Sequence, residues 1–408
     1  MHIKLQLIGQ LMHPKYKLYH NSKVVTFNVS SSFIIQKFSK EYSTINFDLP
    51  AFNRETATSL SQARRSLAAT TIGNYALFGG GRVGNGNSNV VDAYDTSLTR
   101  TTPTALSQAR YSLSATSVGN YALFGGGYSS SYSKVVDAYD TSLTRTTPTA
   151  FNQVRSDLAA TSIGNYALFG GGNAGSSSTT RVVDAYDNNL TRSTPTALSQ
   201  KRSSLAATSV GNYALFGGGN NVVDAYDSSL TRTTPTELSV ARYYLASTTI
   251  GNYALFGGGS FGTNALDAVD AYDSSLTRTT PTELSVARSD LASTTIGNYA
   301  LFGGGNNVVD AYDTSLTRTT PTALSQARYN LSATSVGNYA LFGGGRTRTS
   351  DSYVVDAYSF KRYTVQVYPG TKYKFSNMPS ELTSNVFQEI NITGQPVGYI
   401  KIKNTNIN

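Results

Sequence analysis

Short apolar runs recur through the middle of the chain, with turn-forming residues between them. In the first such unit, β-compatible runs lie at 67–71, 75–79, 90–94 and 98–102. Gly73-Asn74 separates the first pair of runs and Asp95-Thr96-Ser97 separates the last pair, which favours tight turns between antiparallel strands. No segment shows a convincing helical period. The unit therefore predicts a four-stranded antiparallel meander, whose strands we name a to d in chain order.

This unit occurs seven times. The string GNYALFGGG begins at Gly73, Gly119, Gly164, Gly211, Gly251, Gly297 and Gly337. In the fourth and sixth units the link between strands b and c shrinks to Asn-Asn (220–221 and 306–307), which suits a tight hairpin. Four short strands in each repeat of about 40–47 residues are typical of a β-propeller. The sequence therefore predicts an all-β fold with a seven-bladed β-propeller, whose blades we number 1 to 7.

The repeat also resembles the kelch repeat over about residues 51–358. The resemblance rests on Arg64 before strand a, the glycine run at 79–81 that ends strand b, and Tyr94-Asp95 after strand c. Kelch repeats usually carry a Trp in strand d, whereas this chain has no Trp and places Leu98 closer to the Tyr. We therefore expect blade packing to differ from that of the family. Such near-identical arrays are also similar to those of bacterial and prophage surface or tail proteins.

The ring is predicted to close through the N-terminal side of the repeats. The seventh unit lacks the LTRTTPT segment, whereas residues 52–64 align without gaps to LTRTTPTALSQAR. This segment would supply strand d of the last blade and leave no open sheet edge. The alternative is that residues 360–364 fill that place.

The two ends of the chain are predicted to form one small β-rich accessory module. The domain boundaries are 1–50 for the N-terminal segment, 51–358 for the propeller and 359–408 for the C-terminal segment. Strand-like runs occur at 4–8, 24–29, 33–38, 363–368, 386–392 and 399–403. Both segments would leave the ring at blade 7, and together they are long enough for a small domain.

The net charge of +9 belongs mainly to these ends, because residues 1–50 and 359–408 carry +4 each and the middle carries +1. No basic cluster interleaved with aromatic residues occurs, so nucleic acid is not an expected partner. No apolar run reaches the length of about 18 residues that a membrane helix needs, so membrane insertion is not expected. The first residues show no apolar stretch typical of a Sec signal peptide.

The composition argues against an enzyme and against a metal or cofactor site. The chain has no Cys, and its three histidines lie at 2, 13 and 20. Some propellers that resemble kelch repeats are copper oxidases or sugar isomerases, but the ring offers no Cys or His ligand and no His general base. The repeated Asp92 and Asp95 are expected to be structural, through an Asx turn or a pair with a repeat arginine such as Arg100 or Arg110. The triple Gly lacks the Lys-Ser/Thr of a phosphate loop and is expected to allow tight bends.

The b–c loops and the d–a connections should emerge on the same face of the ring, because a meander alternates ends. The b–c loops have seven to nine residues at 82–89, 128–134, 173–181, 260–267 and 346–353. Four of these loops belong to the contiguous blades 7, 1, 2 and 3, where we expect the wall around the binding site to be higher. The opposite face, with its Gly-Asn and Asp-initiated turns, is nearly uniform.

The d–a connection varies at the two positions directly after the repeat Arg, which we call the variable pair. The pairs are Arg65-Ser66, Tyr111-Ser112, Ser156-Asp157, Ser203-Ser204, Tyr243-Tyr244, Ser289-Asp290 and Tyr329-Asn330. This set of residue types resembles an antibody paratope, where Tyr supplies contact area and Ser or Asn supplies adaptable hydrogen bonds. We predict that these fourteen residues bind the ligand, together with the loop residues Tyr128, Tyr132, Phe261 and Tyr353. Loop drift and targeted diversification are alternative sources of the variation.

These features favour a non-catalytic recognition or adhesion protein that binds a cell-surface glycan or protein, such as a phage tail receptor-binding or tail-tip component. We expect it on a virion, outside the cell or on a cell surface. The terminal module would attach it to other structural subunits, and a homo-oligomer would suit a fibre tip. The alternatives are an intracellular, cytoplasmic kelch-type scaffold and, less favoured, a sugar-processing enzyme.

Overall fold

The computed structural model describes residues 15–20, 23–28, 43–175, 178–367, 372–376, 390–391 and 401–404. Every regular element in these residues is a β-strand, as the sequence predicts. The chain divides into two compact units, one formed by Arg54–Tyr358 and the other by Met1–Asn53 with Ser359–Asn408.

The larger unit is a seven-bladed β-propeller of antiparallel four-stranded sheets. The a strands are Ala68–Ile72, Ser114–Val118, Ala159–Ile163, Leu205–Val210, Ala246–Ile250, Leu291–Ile296 and Ser332–Val336. The b strands are Tyr75–Gly79, Tyr121–Gly125, Tyr166–Gly170, Tyr213–Gly218, Tyr253–Gly257, Tyr299–Gly304 and Tyr339–Gly343. The c strands are Val91–Tyr94, Val136–Asp140, Val183–Asp187, Val223–Asp227, Val269–Asp273, Val309–Asp313 and Val355–Val367. The d strands of blades 1 to 6 are Arg100–Thr101, Arg145–Thr146, Arg192–Ser193, Arg232–Thr233, Arg278–Thr279 and Arg318–Thr319.

The ring closes at blade 7 with a strand from the N-terminal side. Strand Ser43–Ala57 pairs with Val355–Val367 and takes the strand d position of that blade. Arg54 donates from Nη1 to Oδ1 of Asp356 at 3.0 Å, as the strand d arginine does in other blades. The alternative in which residues 360–364 supply strand d is wrong, because these residues continue strand c. Each a strand packs against the a strands of its two neighbouring blades, and the a strand of blade 7 packs against that of blade 1.

The core lies between adjacent blades, where the b and c strands are apolar at every central position except the repeat aspartate of strand c, such as Asp92. One cluster combines Leu77 and Ala93 of blade 1 with Phe124 and Tyr139 of blade 2, all four fully buried. The Phe124 and Tyr139 rings meet edge to face with centroids 5.9 Å apart, a favourable aromatic geometry. This interface repeats around the ring.

Strand d is shorter than the predicted 98–102. Leu98 has a φ of 61°, in the left-handed region, so it ends the c–d turn instead of beginning a strand. Its side chain is half-buried and packs against the core cluster between blades 7 and 1. Leucine in the turn thus contributes to blade packing in a chain without tryptophan.

Three b–c loops contain two-stranded ribbons. They are formed by Arg82–Val83 with Gly86–Asn87, Asn173–Gly175 with Ser178–Thr179, and Ser260–Phe261 with Asn264–Ala265.

The smaller unit contains strands from both ends of the chain. The hairpin Lys15–His20 and Lys23–Asn28 is followed in the sheet by Lys372–Ser376 and then by Ile390–Asn391. Leu18 lies opposite Phe375 in this antiparallel pairing. Strand Lys401–Asn404 pairs with the end of the long strand Val355–Val367. The predicted strands at 4–8 and 33–38 lie outside the described residues.

Candidate recognition face

A buried arginine fixes the position of each variable pair. In blade 2, Arg110 donates from Nη2 to Oδ2 of Asp137 at 2.7 Å and to the Phe124 carbonyl at 3.1 Å. Its Nη1 donates to the Gly126 carbonyl at 2.8 Å. The arginine therefore attaches the d–a connection to strands b and c of its blade. Desolvation by burial lowers its pKa, and the Asp137 carboxylate opposes that shift.

The same ion pair occurs in all seven blades. The pairs join Arg64 to Asp92, Arg110 to Asp137, Arg155 to Asp184, Arg202 to Asp224, Arg242 to Asp270, Arg288 to Asp310 and Arg328 to Asp356. Asp92 also lies 3.7 Å from Nε of Arg100, so both arginine pairings expected of the repeat aspartates occur.

The first residue of the variable pair supports the b–c loop of its own blade. Tyr111 donates its backbone N–H to Tyr128 at 3.0 Å and accepts one back from it at 2.8 Å. Equivalent bridges join Arg65 to Arg82, Ser156 to Asn173, Tyr243 to Ser260 and Tyr329 to Arg346. These are the five blades with long b–c loops. The two segments therefore meet on one face of the propeller, which we call the recognition face.

The second residues of the variable pairs form a closed backbone ring. All seven have a φ between 51° and 55°, and they are Ser66, Ser112, Asp157, Ser204, Tyr244, Asp290 and Asn330. Each donates its N–H to the carbonyl of its equivalent in the preceding blade, at 2.8–3.1 Å. The chain of hydrogen bonds closes when Ser66 donates to Asn330. We call this set the second-position ring.

Main-chain atoms of the pair thus support the fold, at the first position in five blades and at the second position in all seven. Their backbone hydrogen bonds need no particular side chain, although the left-handed conformation favours Asn, Asp and Gly over β-branched residues. This explains physically why two adjacent positions vary inside nearly identical repeats.

The ring surrounds a cavity of about 260 Å³ at the centre of the recognition face. Its lining consists of the seven residues of the second-position ring and the leucine that follows each of them. The polar members are three serines, two aspartates, Tyr244 and Asn330. The leucines, such as Leu113, were not predicted as site residues, because this position is the same in all seven repeats.

Two carboxylates of this cavity are held in similar ways. Oδ2 of Asp157 accepts from the Ser156 hydroxyl at 2.8 Å and from Nδ2 of Asn173 at 3.0 Å. Oδ2 of Asp290 accepts from the Ser289 hydroxyl at 2.9 Å. Burial raises the pKa of the Asp290 carboxyl above its usual 3.8, and the Ser289 hydrogen bond partly opposes the shift. In these two variable pairs, the serine at the first position therefore orients the aspartate at the second position.

Loop contacts connect blades 7 and 1 across the recognition face. The Arg65 guanidinium donates to the Asp351 carboxylate, and neither side chain is more than 13% exposed. The same carboxylate accepts from the Gly84 N–H at 2.7 Å. Asp351 lies in a predicted loop but was not predicted as a site residue, and only its pairing with Arg65 reveals its role.

The contacts continue into blade 2. The Arg82 guanidinium lies over the Tyr111 ring, 5.5 Å from its centroid. The Tyr111 and Tyr128 centroids are 5.7 Å apart, and those of Tyr128 and Tyr132 are 5.1 Å apart, both edge to face. The three predicted tyrosines of this blade therefore form one half-buried cluster. Whether the long loops raise the wall on this side stays a prediction.

Blade 5 carries three exposed aromatic side chains of the predicted set, of which Tyr244 lines the cavity. Tyr243 is 37% exposed, Tyr244 50% and Phe261 55%. Tyr353 is also 55% exposed, but it lies at the end of its loop beside strand c and does not line the cavity. Ser156, by contrast, is buried, so its contribution is the hydrogen bond to Asp157 and not direct contact with a ligand.

The opposite face carries two kinds of turn, the a–b turn with Gly-Asn in all seven blades and the c–d turn that begins with Asp in blades 1 to 6. In the c–d turn of blade 2, Oδ1 of Asp140 accepts from the N–H groups of Ser142 and Thr144 at 2.8 and 2.9 Å. This is the Asx turn expected of the second repeat aspartate. Gly119 occupies the a–b turn with a φ of 52°. The Asp140 side chain therefore stabilises its own turn, whereas side chains of the variable pairs line the cavity of the recognition face.

Within the described residues, no group of three or more His, Cys, Asp or Glu side chains is arranged to hold a metal ion. The same part of the chain contains no helix long and apolar enough to cross a membrane. The cavity instead offers hydrogen-bonding groups, two carboxylates and an aromatic ring.

The seven-bladed propeller is consistent with a kelch-type repeat. No protein-family model matches the sequence, and a search of curated proteins gives no match either.

Proposed function

We propose that this β-propeller is a non-catalytic recognition protein that binds a surface glycan through its recognition face. The observation that carries the proposal is the concentration of varying side chains around one cavity, on a ring whose hydrogen bonds are made by main-chain atoms. Such an arrangement lets contacts change without loss of the scaffold. Binding sites commonly lie on segments positioned in this way by a rigid fold.

The residue types support a glycan over an apolar ligand. Aromatic rings with a polar edge offer both a stacking surface and a hydrogen bond, as sugars require. Tyr243, Tyr244 and Phe261 supply exposed rings on blade 5, where Tyr244 lines the cavity, and the serines and Asn330 of the cavity supply hydrogen-bonding groups. In this proposal the protein works at a virion tail tip or a cell surface, with the terminal strands attached to other structural subunits.

The test is a glycan array probed with the full-length chain. We expect a restricted set of glycans to bind, and we expect the triple variant Tyr243→Ala/Tyr244→Ala/Phe261→Ala to lose that binding. The matched control is Asn120→Ala/Asn165→Ala/Asn212→Ala, which truncates three exposed side chains in the a–b turns of the opposite face. Circular dichroism checks that each variant is folded.

Absence of binding to any glycan would contradict the proposal, and so would equal loss of binding in the control variant. Binding to a purified surface protein stripped of its glycans would favour a protein ligand instead.

A further inference from the structure

The central cavity is acidic. Among its lining residues, Asp157 and Asp290 are the two carboxylates, and none of the fourteen is Lys, Arg or His. The nearby Arg65 is neutralised by Asp351. The cavity therefore carries a formal charge of −2 when both carboxyls are ionised, without a cation of its own to balance it. Accordingly, an uncharged or anionic ligand would leave this charge uncompensated in a partly desolvated site.

We propose that the central cavity binds an amino-sugar residue through its free ammonium group. This inference rests on the proposed function, because it names the class of glycan unit that the recognition face takes. Asp157 and Asp290, in blades 3 and 6, are the carboxylates that the cavity offers as acceptors for an ammonium group, and charge-assisted bonds of this kind are stronger than neutral ones.

Hydrogen bonds within the protein fix the orientation of both carboxylates before such a ligand binds. The serine that precedes each aspartate donates to Oδ2, and Asn173 adds a second bond to Oδ2 of Asp157. Among the hydrogen bonds of the described residues, Oδ1 of neither carboxylate is used. Each group is thus held by one oxygen and keeps the other to accept from a ligand. A carboxylate whose orientation is already fixed loses less entropy when the ligand binds.

The remaining lining fits the rest of a sugar unit. A volume of about 260 Å³ lies below the roughly 300–1,000 Å³ of pockets that hold drug-sized ligands, so the cavity suits one small unit. The hydroxyls of Ser66, Ser112 and Ser204 and the amide of Asn330 can exchange hydrogen bonds with sugar hydroxyls. Tyr244, half exposed at the rim, offers a ring face.

The experiment is calorimetric titration of the full-length chain with the β-1,4-linked disaccharide of glucosamine. Its matched ligand is the di-N-acetylated disaccharide, which has the same ring skeleton without positive charge. We expect the glucosamine disaccharide to bind at least tenfold more tightly than the acetylated one. The double variant Asp157→Asn/Asp290→Asn should remove this preference, since asparagine keeps the shape and is accepted at a positive φ.

The control is Asp140→Asn/Asp187→Asn, which removes the same charge from Asx turns of the opposite face. This variant should retain the preference for the glucosamine disaccharide. If it loses the preference to the same extent, the effect is a general attraction by the protein's field, and the inference is overturned.

Equal affinity for the two disaccharides, or no binding of either, would also overturn the inference. The array separates this failure from failure of the proposed function. Array glycans without free amines that bind through Tyr243, Tyr244 and Phe261 would leave the proposed function standing and refute only the amino-sugar site. No bound glycan at all would refute both.

Discussion

Arg110 donates from Nη2 to Oδ2 of Asp137 at 2.7 Å, and neither side chain is exposed to solvent. The second carboxylate oxygen accepts from Nη1 of Arg145 at 2.9 Å, whose side chain is 25% exposed. One aspartate thus joins a buried arginine before strand a to a partly exposed arginine in strand d. Because the variable pair directly follows Arg110, this network also sets the position of the recognition face.

Replacement of Arg110 by methionine should strongly destabilise the propeller. It leaves the buried Asp137 carboxylate without its main partner, and breaking a buried pair in this way costs about 3–5 kcal/mol. The measurement is the free energy of unfolding from urea denaturation, followed by far-UV circular dichroism because the chain has no tryptophan.

Arg145→Ala is the matched control, because it removes an arginine from the same carboxylate at a more exposed position. We expect it to cost about 1 kcal/mol or less. An Arg110→Met variant as stable as Arg145→Ala would show that the buried pair does not hold the blade together.

Gly79→Ala should loosen the interface between blades 1 and 2. A Cβ at this position would lie 2.6 Å from Cε1 and 2.9 Å from Cδ1 of Phe124, a ring that is itself packed in the core. Overpacking of this kind typically costs about 1–3 kcal/mol, which the shift of the urea midpoint would measure.

Gly86→Ala tests whether the loss comes from this close approach and not from loss of glycine as such. Gly86 is exposed in a b–c loop, and a Cβ there would have the Val83 carbonyl oxygen as its nearest neighbour, at 3.6 Å. We expect this variant to stay within about 0.5 kcal/mol of the parent. If both alanines are neutral, the glycine run does not serve blade packing.

Much of the fold could be predicted because the same pattern of strands and turns recurs in seven repeats. The boundaries of strand Tyr75–Gly79 follow from the local sequence pattern. The closure of the ring by an N-terminal strand follows from one gapless alignment of sequence segments. The length of strand d could not be predicted in this way. Leu98 looks like the start of a β-run, but the preceding Asx turn places it at a positive φ.

The candidate site was predictable as a set of positions but not as a geometry. The variable pairs stand out because the repeat sequence around them is nearly constant. The two residues of a pair nevertheless have different structural roles. That difference arises because seven blades bring Ser66 and Asn330, 264 residues apart in the chain, into one ring of backbone hydrogen bonds. The burial of Ser156 likewise depends on its backbone bridge to Asn173, a residue that only the folded blade brings beside it.

The positive φ of the second-position ring predicts opposite effects of two substitutions at Ser204. Ser204→Gly should stabilise the protein by up to about 1 kcal/mol, because glycine adopts a φ of 55° without the strain that a Cβ causes. Ser204→Val should destabilise it by about 1–2 kcal/mol, since a β-branched residue is a marked outlier in this region. Thermal denaturation of the two variants measures the difference.

Ser203→Gly and Ser203→Val provide the comparison at the neighbouring position, which does not have a positive φ. At this position the glycine variant should be no more stable than the valine variant. The same order at both positions would show that the ring geometry does not restrict the residue type.

Asp290 should make the stability of the propeller depend on pH. Burial raises the pKa of its carboxyl in the folded state, so the folded state binds this proton more tightly than the unfolded state does. Below the unfolded value, near 3.8, both states are protonated and the group costs nothing. As the pH rises through 3.8 and then through the folded-state pKa, stability is progressively lost, because the unfolded state ionises more readily.

Asp290→Asn removes this dependence. Relative to the parent chain, the variant should gain no pH-linked stability below about pH 3.8, and its advantage should grow as the pH rises until Asp290 is ionised in the folded parent. Urea denaturation at a series of pH values measures the difference. Asp140→Asn, in an exposed Asx turn of the opposite face, is the control for loss of one negative charge. A constant difference between parent and Asp290→Asn across the series would show that burial of this carboxylate does not oppose its ionisation.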